Sequence, residues 1–400
     1  MQFWDGIGAY LDFTQPKTLA WWKEKVKETL LDYGITATWN DNNEFEIWTD
    51  KAMAHGFGQP RSAHECKPLQ SLLMMRASRD AQKEHAPNKR PFLVSRSGGV
   101  GMHRYAQTWS GDNSTSWETL KYNLKMGLGL ALSGVSNTGH DIGGFSGPAP
   151  DPELLVRWVQ FGIFMPRFCI HSWNDDGTVN EPWMHLQVTP IVRDLIKLRY
   201  RLIPDLYDLL WRYHCEYEPM VRPTFFDFPD DPRCWPECND MMVGPSLLAA
   251  PVVEPGLVDR EVKLPSGTHW YDFWSGEVFK GGQTVTRPAP WARPVLFARE
   301  SCAIPLNVAA QTFAARADSR SFKIFPPTGS GAFTTENFED DDESEAYQAG
   351  GYGGWRITVE ADEKLVSVHV QNFGAFSEFS PEAGLIFPEP ETRKVSITIS

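Results

Sequence analysis

The sequence predicts an α/β fold that is built on a parallel sheet and is followed by all-β domains. In its first half, short apolar strands, polar loops and amphipathic helices alternate. Polar clusters follow the strands, which is where barrel enzymes carry their chemistry. After about Met220, short apolar or alternating segments are separated by Gly and Pro turns, a pattern typical of β-structure.

Composition narrows the classes of function. A chain of 400 residues buries a large core and usually contains more than one domain. The net charge of −13 leaves no basic face to neutralise phosphates, so nucleic acid is not an expected partner. The aromatic fraction of 13%, with 16 Trp, is high and suits flat apolar ligands, although any single Trp more often fills a core.

Cysteine usage and hydropathy predict a cytoplasmic location. The six cysteines are scattered, and only Cys234 and Cys238 lie close together, which favours structural thiols in a reducing compartment over disulfides or a zinc site. No apolar run approaches the ~20 residues of a membrane span, and the N-terminus lacks a signal pattern. We therefore expect no membrane partner, and a homo-oligomer is left open.

Local signals predict the individual elements. Thr14-Gln15-Pro16 starts a helix that Gly34 ends. Further helices are predicted at 66–84, 117–130, 152–162 and 190–213, and strands at 35–39, 92–94 and 167–171. In the C-terminal part, strands are predicted at 243–253, 261–264, 269–274, 295–298, 355–359 and 366–370. Polar strand ends are expected before Asp41, at Arg96, near Asp112, at Asp141 and at His171.

Two of these strand ends carry a candidate pair of catalytic carboxylates. Asp41 lies in Trp39–Glu44, WNDNNE, and Asp112 lies in the loop 107–113. A barrel brings such junctions onto one rim, where one carboxylate attacks the anomeric carbon of a sugar and the other protonates the leaving oxygen. Carboxyl groups roughly 5–6 Å apart would indicate retention, and a gap near 9 Å inversion. The alternative is that Asp112-Asn113-Ser114 only caps a helix.

These segments resemble glycoside hydrolase family 31. WNDNNE is similar to the family's nucleophile signature W-x-D-M-N-E, and TWSGDN is similar to its acid/base segment. SRSG, GHDIGGF and RFCIHSWN match further family segments in the same order, and LAAPVV and WYDFWSG resemble its C-terminal β-domains. The resemblance implies a retaining α-glycosidase that acts on terminal α-linked glucose, with α-xylosidases and α-transglucosylases in the same family.

The resemblance also implies a domain organisation. We expect a (β/α)8 TIM barrel that is partial, with about strands 4–8, at residues 1–218. A proximal β-domain at 219–308 and a distal one at 309–400 would follow. The family's N-terminal β-sandwich and first barrel strands have no counterpart, and Trp4 is matched to a tryptophan upstream of the nucleophile. The alternative is a truncated, non-catalytic carbohydrate-binding remnant.

Carried over residue by residue, the resemblance assigns Asp41 as nucleophile and Asp112 as general acid/base. Arg96 would contact the nucleophile side and sugar hydroxyls, and Trp109 would wall the sugar pocket. The remaining expected substrate-binding residues are Trp39, Asn42, Asp141, Phe145 and His171.

Each assignment has a structural alternative. Arg96 would then be a surface ion pair, Trp109 a core residue, Asp141 a turn residue and His171 a buried histidine. Asn42 replaces the family's usual Met and makes the floor beside the nucleophile more polar.

No metal or organic cofactor is required by this chemistry, because the two carboxylates supply both nucleophile and proton. The acidic run Glu336–Glu345 lacks the spacing of a calcium loop and is predicted to be a solvated loop.

Overall fold

The computed structural model describes residues 2–3, 6–308, 320–374 and 384–400, so that Trp4 and the predicted boundary at residue 309 lie outside the described residues. Contacts divide the chain into two compact units. The first contains residues 1–111 and 342–345, and the second contains residues 112–341 and 346–400.

The first unit contains two helices beside short strands. Its elements are β1 (Gln2–Phe3), β2 (Gly6–Ile7), α1 (Pro16–Thr29), β3 (Ala37–Asn40), β4 (Met53–Ala54), β5 (Arg61–Ser62), α2 (Ala63–His85) and β6 (Phe92–Ser95).

Helix α1 begins at the predicted signal but ends at Thr29, before the predicted stop at Gly34. Pro16 occupies its first turn, where the missing N–H costs nothing. A short 3₁₀ turn follows it, and Gly34 closes this turn in the left-handed region, with φ 82°. Helix α2 begins three residues earlier than predicted, because the hydroxyl of Ser62 accepts from the N–H of His64 and caps it.

The first unit contains a parallel strand pair, as the sequence predicts. Strands β3 and β6 pair in parallel, from Ala37 opposite Phe92 to Asn40 opposite Ser95.

The predicted strand before Asp112 is wrong. Only Gln107 pairs there, in an isolated parallel bridge to Val94. The hydroxyl of Thr108 donates to the carbonyl of Ser95 at 2.8 Å and ends the pairing. Gly111 then turns the chain with φ 76°, so that Asp112 follows a turn and not a strand.

The second unit begins with further alternation of helices and strands. In chain order it contains α3 (Trp117–Leu132), β7 (Gly139–Asp141), α4 (Pro152–Gly162), β8 (Arg167–Cys169) and α5 (Thr189–Glu216). Strands β7 and β8 pair in parallel. Gly139 permits this pairing, because a Cβ on it would lie 2.0 Å from the carbonyl oxygen of Arg167.

The rest of the second unit is β-rich, as predicted. After β9 (Val221–Arg222) and the short helix α6 (Thr224–Asp227), its strands are β10 (Met241–Val243), β11 (Leu247–Ala249), β12 (Asp259–Leu264), β13 (His269–Asp272), β14 (Val278–Lys280), β15 (Gln283–Pro288), β16 (Leu296–Arg299), β17 (Cys302–Asn307), β18 (Arg320–Phe325), β19 (Gly331–Glu336), β20 (Gly353–Ala361), β21 (Leu365–Gly374), β22 (Gly384–Ile386) and β23 (Lys394–Ile399).

These strands form four sheets among the described residues. A six-stranded antiparallel sheet has the order β14-β13-β16-β11-β10-β9, and β12 pairs with β15. The other two have the orders β17-β18-β22 and β19-β20-β21-β23. One apolar core joins the helices α3, α4 and α5 to strands of the first of these sheets and to β17 and β18, and it includes the fully buried Trp158 and Phe161.

The acidic run is solvated only in part: Glu336 and Glu343 are exposed, at 47% and 68%. Glu339 and Asp340 are buried, at 6% and 2% exposure. Arg320 binds both carboxylate oxygens of Glu339, at 2.6 and 2.8 Å, and the hydroxyl of Tyr207 donates to Asp340 at 2.8 Å. The run therefore anchors the loop after β19 by ion pairs and hydrogen bonds.

Candidate active site

The loop after β3 carries Asp41 on a tightly turned backbone. Asn42 and Phe45 have φ values of 50° and 52°, in the left-handed region that Asn tolerates better than most residues and Phe does not. The Asp41 side chain is 47% exposed. Backbone strain thus flanks a solvent-facing carboxylate, an arrangement that is common at functional sites.

Arg96 gathers the polar side chains of this loop. Its Nη1 lies 3.6 Å from Oδ1 of Asp41 and donates to Oδ1 of Asn42 at 3.2 Å, and its Nε lies 2.6 Å from Oε1 of Glu44. The closest of these three partners is Glu44, for which the sequence predicted no role. The arginine is 24% exposed and its carboxylate partners are more exposed, so the alternative of a surface ion pair stays open.

Asn43 joins the loop after β3 to the loop after β6. Its buried amide donates to the hydroxyl of Ser95 at 2.9 Å and accepts from the N–H of Ser97 at 2.8 Å. Its backbone carbonyl accepts from the hydroxyl of Ser71 at 2.6 Å. This amide sets the position of Arg96 relative to Asp41, because Arg96 lies between its two contacts in the chain.

Trp39 and Trp109 lie together in the first unit. Their rings meet edge to face, with centroids 4.9 Å apart at 86°. Trp39 is 42% exposed and Trp109 is 4% exposed. The structure therefore supports the core alternative for Trp109, and Trp39 is the ring of the pair that reaches solvent.

In the second unit, Asp112 is exposed and adjoins the loop after β7. The carbonyl of Asn113 accepts from the N–H of Phe145 at 2.7 Å, and the N–H of Thr115 donates to Ser146 at 2.8 Å. Gly144 allows this approach with φ 87°, because a Cβ there would lie 2.3 Å from the hydroxyl of Thr115.

Asp112 does not cap the helix that follows it. The cap of α3 is Ser116, whose hydroxyl accepts from the N–H of Thr119 at 3.1 Å. The capping alternative for Asp112-Asn113-Ser114 is therefore wrong.

Asp141, Phe145 and His171 lie near the ends of β7 and β8. Asp141 is fully buried at the last position of β7, so the turn alternative for it is wrong. The ring of Phe145 lies 5.3 Å from that of His171. His171 is exposed, which contradicts the alternative of a buried histidine.

The histidine next to Asp141 is structural. His140 is fully buried against Phe161, with ring centroids 5.7 Å apart. Burial lowers the pKa of His140 to about 3, so its imidazole is neutral at ordinary pH.

The structure thus places the predicted site residues in two groups, one in each unit. The first unit brings together Trp39, Asp41, Asn42, Arg96 and Trp109. The second brings together Asp112, Asp141, Phe145 and His171. The separation of the carboxyl groups of Asp41 and Asp112 stays a prediction.

Glu44 and Asn43 are site residues for which the sequence predicted no role. Both lie inside the signature segment that identified Asp41. Their place in that segment was a signal that they take part in the site.

Two general features accompany the site. Within the described ranges, no group of three or more His, Cys, Asp or Glu side chains is arranged to hold a metal ion. No helix in the same ranges is long and apolar enough to cross a bilayer.

Comparison with known protein families gives two matches along the chain. The model described as the glycosyl hydrolases family 31 TIM-barrel domain matches residues 1–209. The model described as the glycosyl hydrolase family 31 C-terminal domain matches residues 217–304.

Individual proteins are similar over nearly the whole chain. Alpha-glucosidase 2 of Bacillus thermoamyloliquefaciens is 33% identical over 403 residues, which cover 99% of this chain and 51% of that protein. A probable glucan 1,3-alpha-glucosidase of Oryza sativa subsp. japonica is 32% identical, over 95% of this chain and 42% of that protein. The chain thus spans about half of the length of the curated relatives it matches.

A solved structure is also similar. The family 31 dextranase of Flavobacterium johnsoniae in complex with glucose superimposes with a TM-score of 0.84 and 28% identity, covering 91% of this chain and 46% of that one. A variant of the same dextranase was solved with isomaltotriose.

Proposed function

We propose, from the premise that this chain belongs to glycosyl hydrolase family 31, that it is a retaining α-glycosidase acting on terminal α-linked glucose residues of oligosaccharides. The observation that carries the proposal is the cluster of Asp41, Glu44 and Arg96 at the carboxyl end of the parallel strands β3 and β6. The guanidinium lies beside a solvent-facing carboxylate, which is the type of group that attacks the anomeric carbon in this chemistry.

In the proposed mechanism, Asp41 attacks the anomeric carbon while Asp112 protonates the leaving oxygen, which forms a covalent glycosyl-enzyme intermediate. Asp112 then removes a proton from water, and the water releases the sugar with retained configuration. The exposed position of Asp112 after the Gly111 turn supports this role, since the group must reach both leaving group and water.

The other predicted residues would bind the sugar. Arg96 and Asn42 present polar groups beside Asp41, and His171 presents an imidazole next to the Phe145 ring. Trp39 offers an exposed aromatic edge, and Trp109 supports it from behind. A few polar groups among aromatic side chains suit recognition of a pyranose. For Asp141, a role in binding hydroxyls rests on the family resemblance.

We propose further that residues 1–218 supply about strands 4–8 of an eight-stranded barrel. The parallel pairs β3–β6 and β7–β8 support this, together with the match to about half of each relative. A crystal structure of the chain tests it. Strands β3, β6, β7 and β8 are expected in one parallel sheet, and their separation into different sheets would contradict the proposal.

Hydrolysis of α-glucosyl fluoride by the purified chain tests the activity. NMR of the first product should show the α-anomer if the configuration is retained. Asp41→Asn should abolish turnover. Asp112→Asn should still form the intermediate, because fluoride departs without a proton, but should release it slowly after a burst.

Other outcomes separate the alternatives. A β-anomer as first product would exclude retention. Transfer of glucose to added sugar in place of water would indicate an α-transglucosylase, and preference for an α-xyloside would indicate an α-xylosidase. Binding of sugar without any turnover would favour the carbohydrate-binding remnant.

We also propose a cytoplasmic location. The free thiol state of all six cysteines is consistent with a reducing compartment. Cell fractionation with antibodies to the chain tests it, and recovery from the medium would contradict it. Assembly into a homo-oligomer stays open.

A further inference from the structure

Trp173 combines a fixed backbone with an exposed ring. It lies in the loop after β8, and 70% of it is exposed. Its N–H donates to the carbonyl of Phe145 at 2.7 Å, and the N–H of Asp175 donates to the carbonyl of Gly147 at 2.9 Å. The loop after β8 is therefore hydrogen-bonded to the loop after β7 at the tryptophan and two residues beyond it.

Two buried amides hold the same loop from within. The side chain of Asn180 donates to the carbonyl of Gly144 at 2.9 Å and accepts from Asn174 at 3.1 Å. The N–H of Asn180 donates to the hydroxyl of Ser172 at 2.6 Å. Asn174 and Asn180 are 1% and 3% exposed. These buried hydrogen bonds fix the backbone next to Trp173, so its ring is presented on a preformed surface.

Burial along the loop alternates with a period of two. His171 and Trp173 are exposed, whereas Ser172 and Asn174 are buried. Alternate residues of an extended chain share a face and lie roughly 6–7 Å apart. The Trp173 indole therefore lies on the face that carries His171, one step beyond the contact between His171 and Phe145.

An indole in this setting suits a sugar ring. A large exposed aromatic ring on a rigid loop loses little conformational entropy when a ligand stacks on it. Its flat apolar surface matches the C–H face of a pyranose, and the neighbouring imidazole supplies hydrogen bonding.

We propose that Trp173 stacks against the sugar that follows the terminal glucose, on the leaving-group side. This rests on the proposed function, in which His171 and Phe145 bind the terminal glucose. Trp173 would then make the site prefer α-glucan oligosaccharides over glucosides with small leaving groups.

Calorimetric titration of the whole chain, with Asp41→Asn introduced to block turnover, tests the proposal. The ligands are glucose and isomaltotriose. The trisaccharide should bind more tightly than glucose. Trp173→Ala should weaken trisaccharide binding about tenfold and leave glucose binding unchanged, and Trp173→Phe should restore most of the loss.

A matched control is Trp235→Ala, which removes another exposed tryptophan of the second unit, 58% exposed and stacked on Phe225. Trp235→Ala should change neither the affinity for glucose nor the affinity for isomaltotriose. Three results would overturn the proposal. The first is that Trp173→Ala weakens the binding of glucose and of the trisaccharide equally, and the second is that it weakens the binding of neither. The third is that the chain with Trp173 intact binds the two ligands with equal affinity.

Failure of the proposed function is recognised separately. It would appear as absence of α-glucosyl fluoride hydrolysis by the unsubstituted chain, whatever the titrations show. In an active chain, Trp173→Ala should lower kcat/KM for isomaltotriose about tenfold and leave that for α-glucosyl fluoride within about twofold.

Discussion

At the scale of single residues, the candidate site depends on one guanidinium. Arg96 reaches three side chains through two nitrogens of its planar fork: Nη1 lies near Asp41 and Asn42, and Nε lies near Glu44. A lysine carries a single point charge and cannot hold three oxygen partners in this geometry. The orientation of Asp41 should therefore depend on the shape of this side chain as well as on its charge.

Replacing Arg96 by Lys should lower kcat/KM for α-glucosyl fluoride about 100-fold, equivalent to ~2.7 kcal/mol of transition-state stabilisation. The free energy of unfolding should change by less than about 1 kcal/mol, because the pair is partly exposed. Steady-state kinetics and urea unfolding measure the two quantities. As control, Arg61→Lys alters an arginine of the same unit that is 57% exposed, and it should leave the kinetics unchanged. Full activity of Arg96→Lys would show that charge alone suffices.

At the scale of elements, the ends of β3 and β6 are held together by a side chain and not by the strands themselves. The ladder between them stops at Asn40 opposite Ser95, and the amide of Asn43 then continues the connection to Ser95 and Ser97. The Asn43 amide takes the place of backbone pairing where the two segments separate beyond the strand ends and present Asp41 and Arg96.

Asn43→Ala should leave the N–H of Ser97 and the hydroxyl of Ser95 without this partner. The expected loss is about 1–3 kcal/mol in the free energy of unfolding, measured by urea denaturation. Asn88→Ala, at an exposed position in the same unit, is the control and should cost less than about 0.5 kcal/mol. If Asn43→Ala lowered the free energy of unfolding as little as Asn88→Ala, the strand ladder alone would fix the two loops.

A second element, α5, contains a buried carboxylate that works against stability at high pH. Burial raises the pKa of Asp205 from 3.8 to about 7, and Arg212 offsets only part of this. The neighbouring Asp208 and the Cys302 thiol face the same region. Between pH ~4 and 7 the folded chain therefore holds a proton that the unfolded chain has lost, so stability falls as pH rises through this window.

We expect Asp205→Asn to be within about 1 kcal/mol of the parent at pH 4. At pH 8 it should raise the free energy of unfolding by up to about 4 kcal/mol. Urea denaturation at the two pH values measures this. Asp194→Asn, at a position 68% exposed on the same helix, is the matched control and should show no such pH dependence. An equal effect of Asp205→Asn at both pH values would contradict the raised pKa.

At the scale of the whole molecule, a buried arginine connects the helical part of the second unit to its β-part. Arg157 of α4 is 1% exposed and donates to the carbonyls of Leu257 and Ala289 at 2.9 and 2.8 Å. Glu153, one turn earlier, accepts from the N–H of Gly256 at 3.1 Å. These bonds cross the predicted boundary at residue 218, so the helices and the following β-strands are held as one compact unit.

Arg157→Met should lower the free energy of unfolding by about 3 kcal/mol, because it leaves buried carbonyls and the Glu153 carboxylate without their partner. Thermal and urea denaturation measure the loss. Arg193→Met, at an exposed position on α5, should change stability by less than about 0.5 kcal/mol. Equal stability of the two variants would show that apolar packing alone holds α4 against the β-strands.

Local signals predicted the elements well where they act within a few residues. Helix α4 was predicted with its observed bounds, because Asp151 caps its first N–H groups and Pro152 fits the first turn. The strand before Asp112 was predicted wrongly, since the Thr108 hydroxyl takes a carbonyl that a ladder would use. The Thr108 hydroxyl competes with backbone pairing for the carbonyl of Ser95, at the end of β6, and β6 is distant from Asp112 in the chain.

By itself, the sequence determined the alternation of helices and strands, the β-rich second half and the segments that carry Asp41 and Asp112, because capping, periodicity and short motifs are local. Only the tertiary structure decided that Glu44 lies closer to Arg96 than Asp41 does, that Trp109 is buried while Trp173 is exposed, and that Ser116 caps α3 in place of Asp112. These outcomes depend on which backbone groups meet across loops far apart in the chain, and no local pattern encodes that.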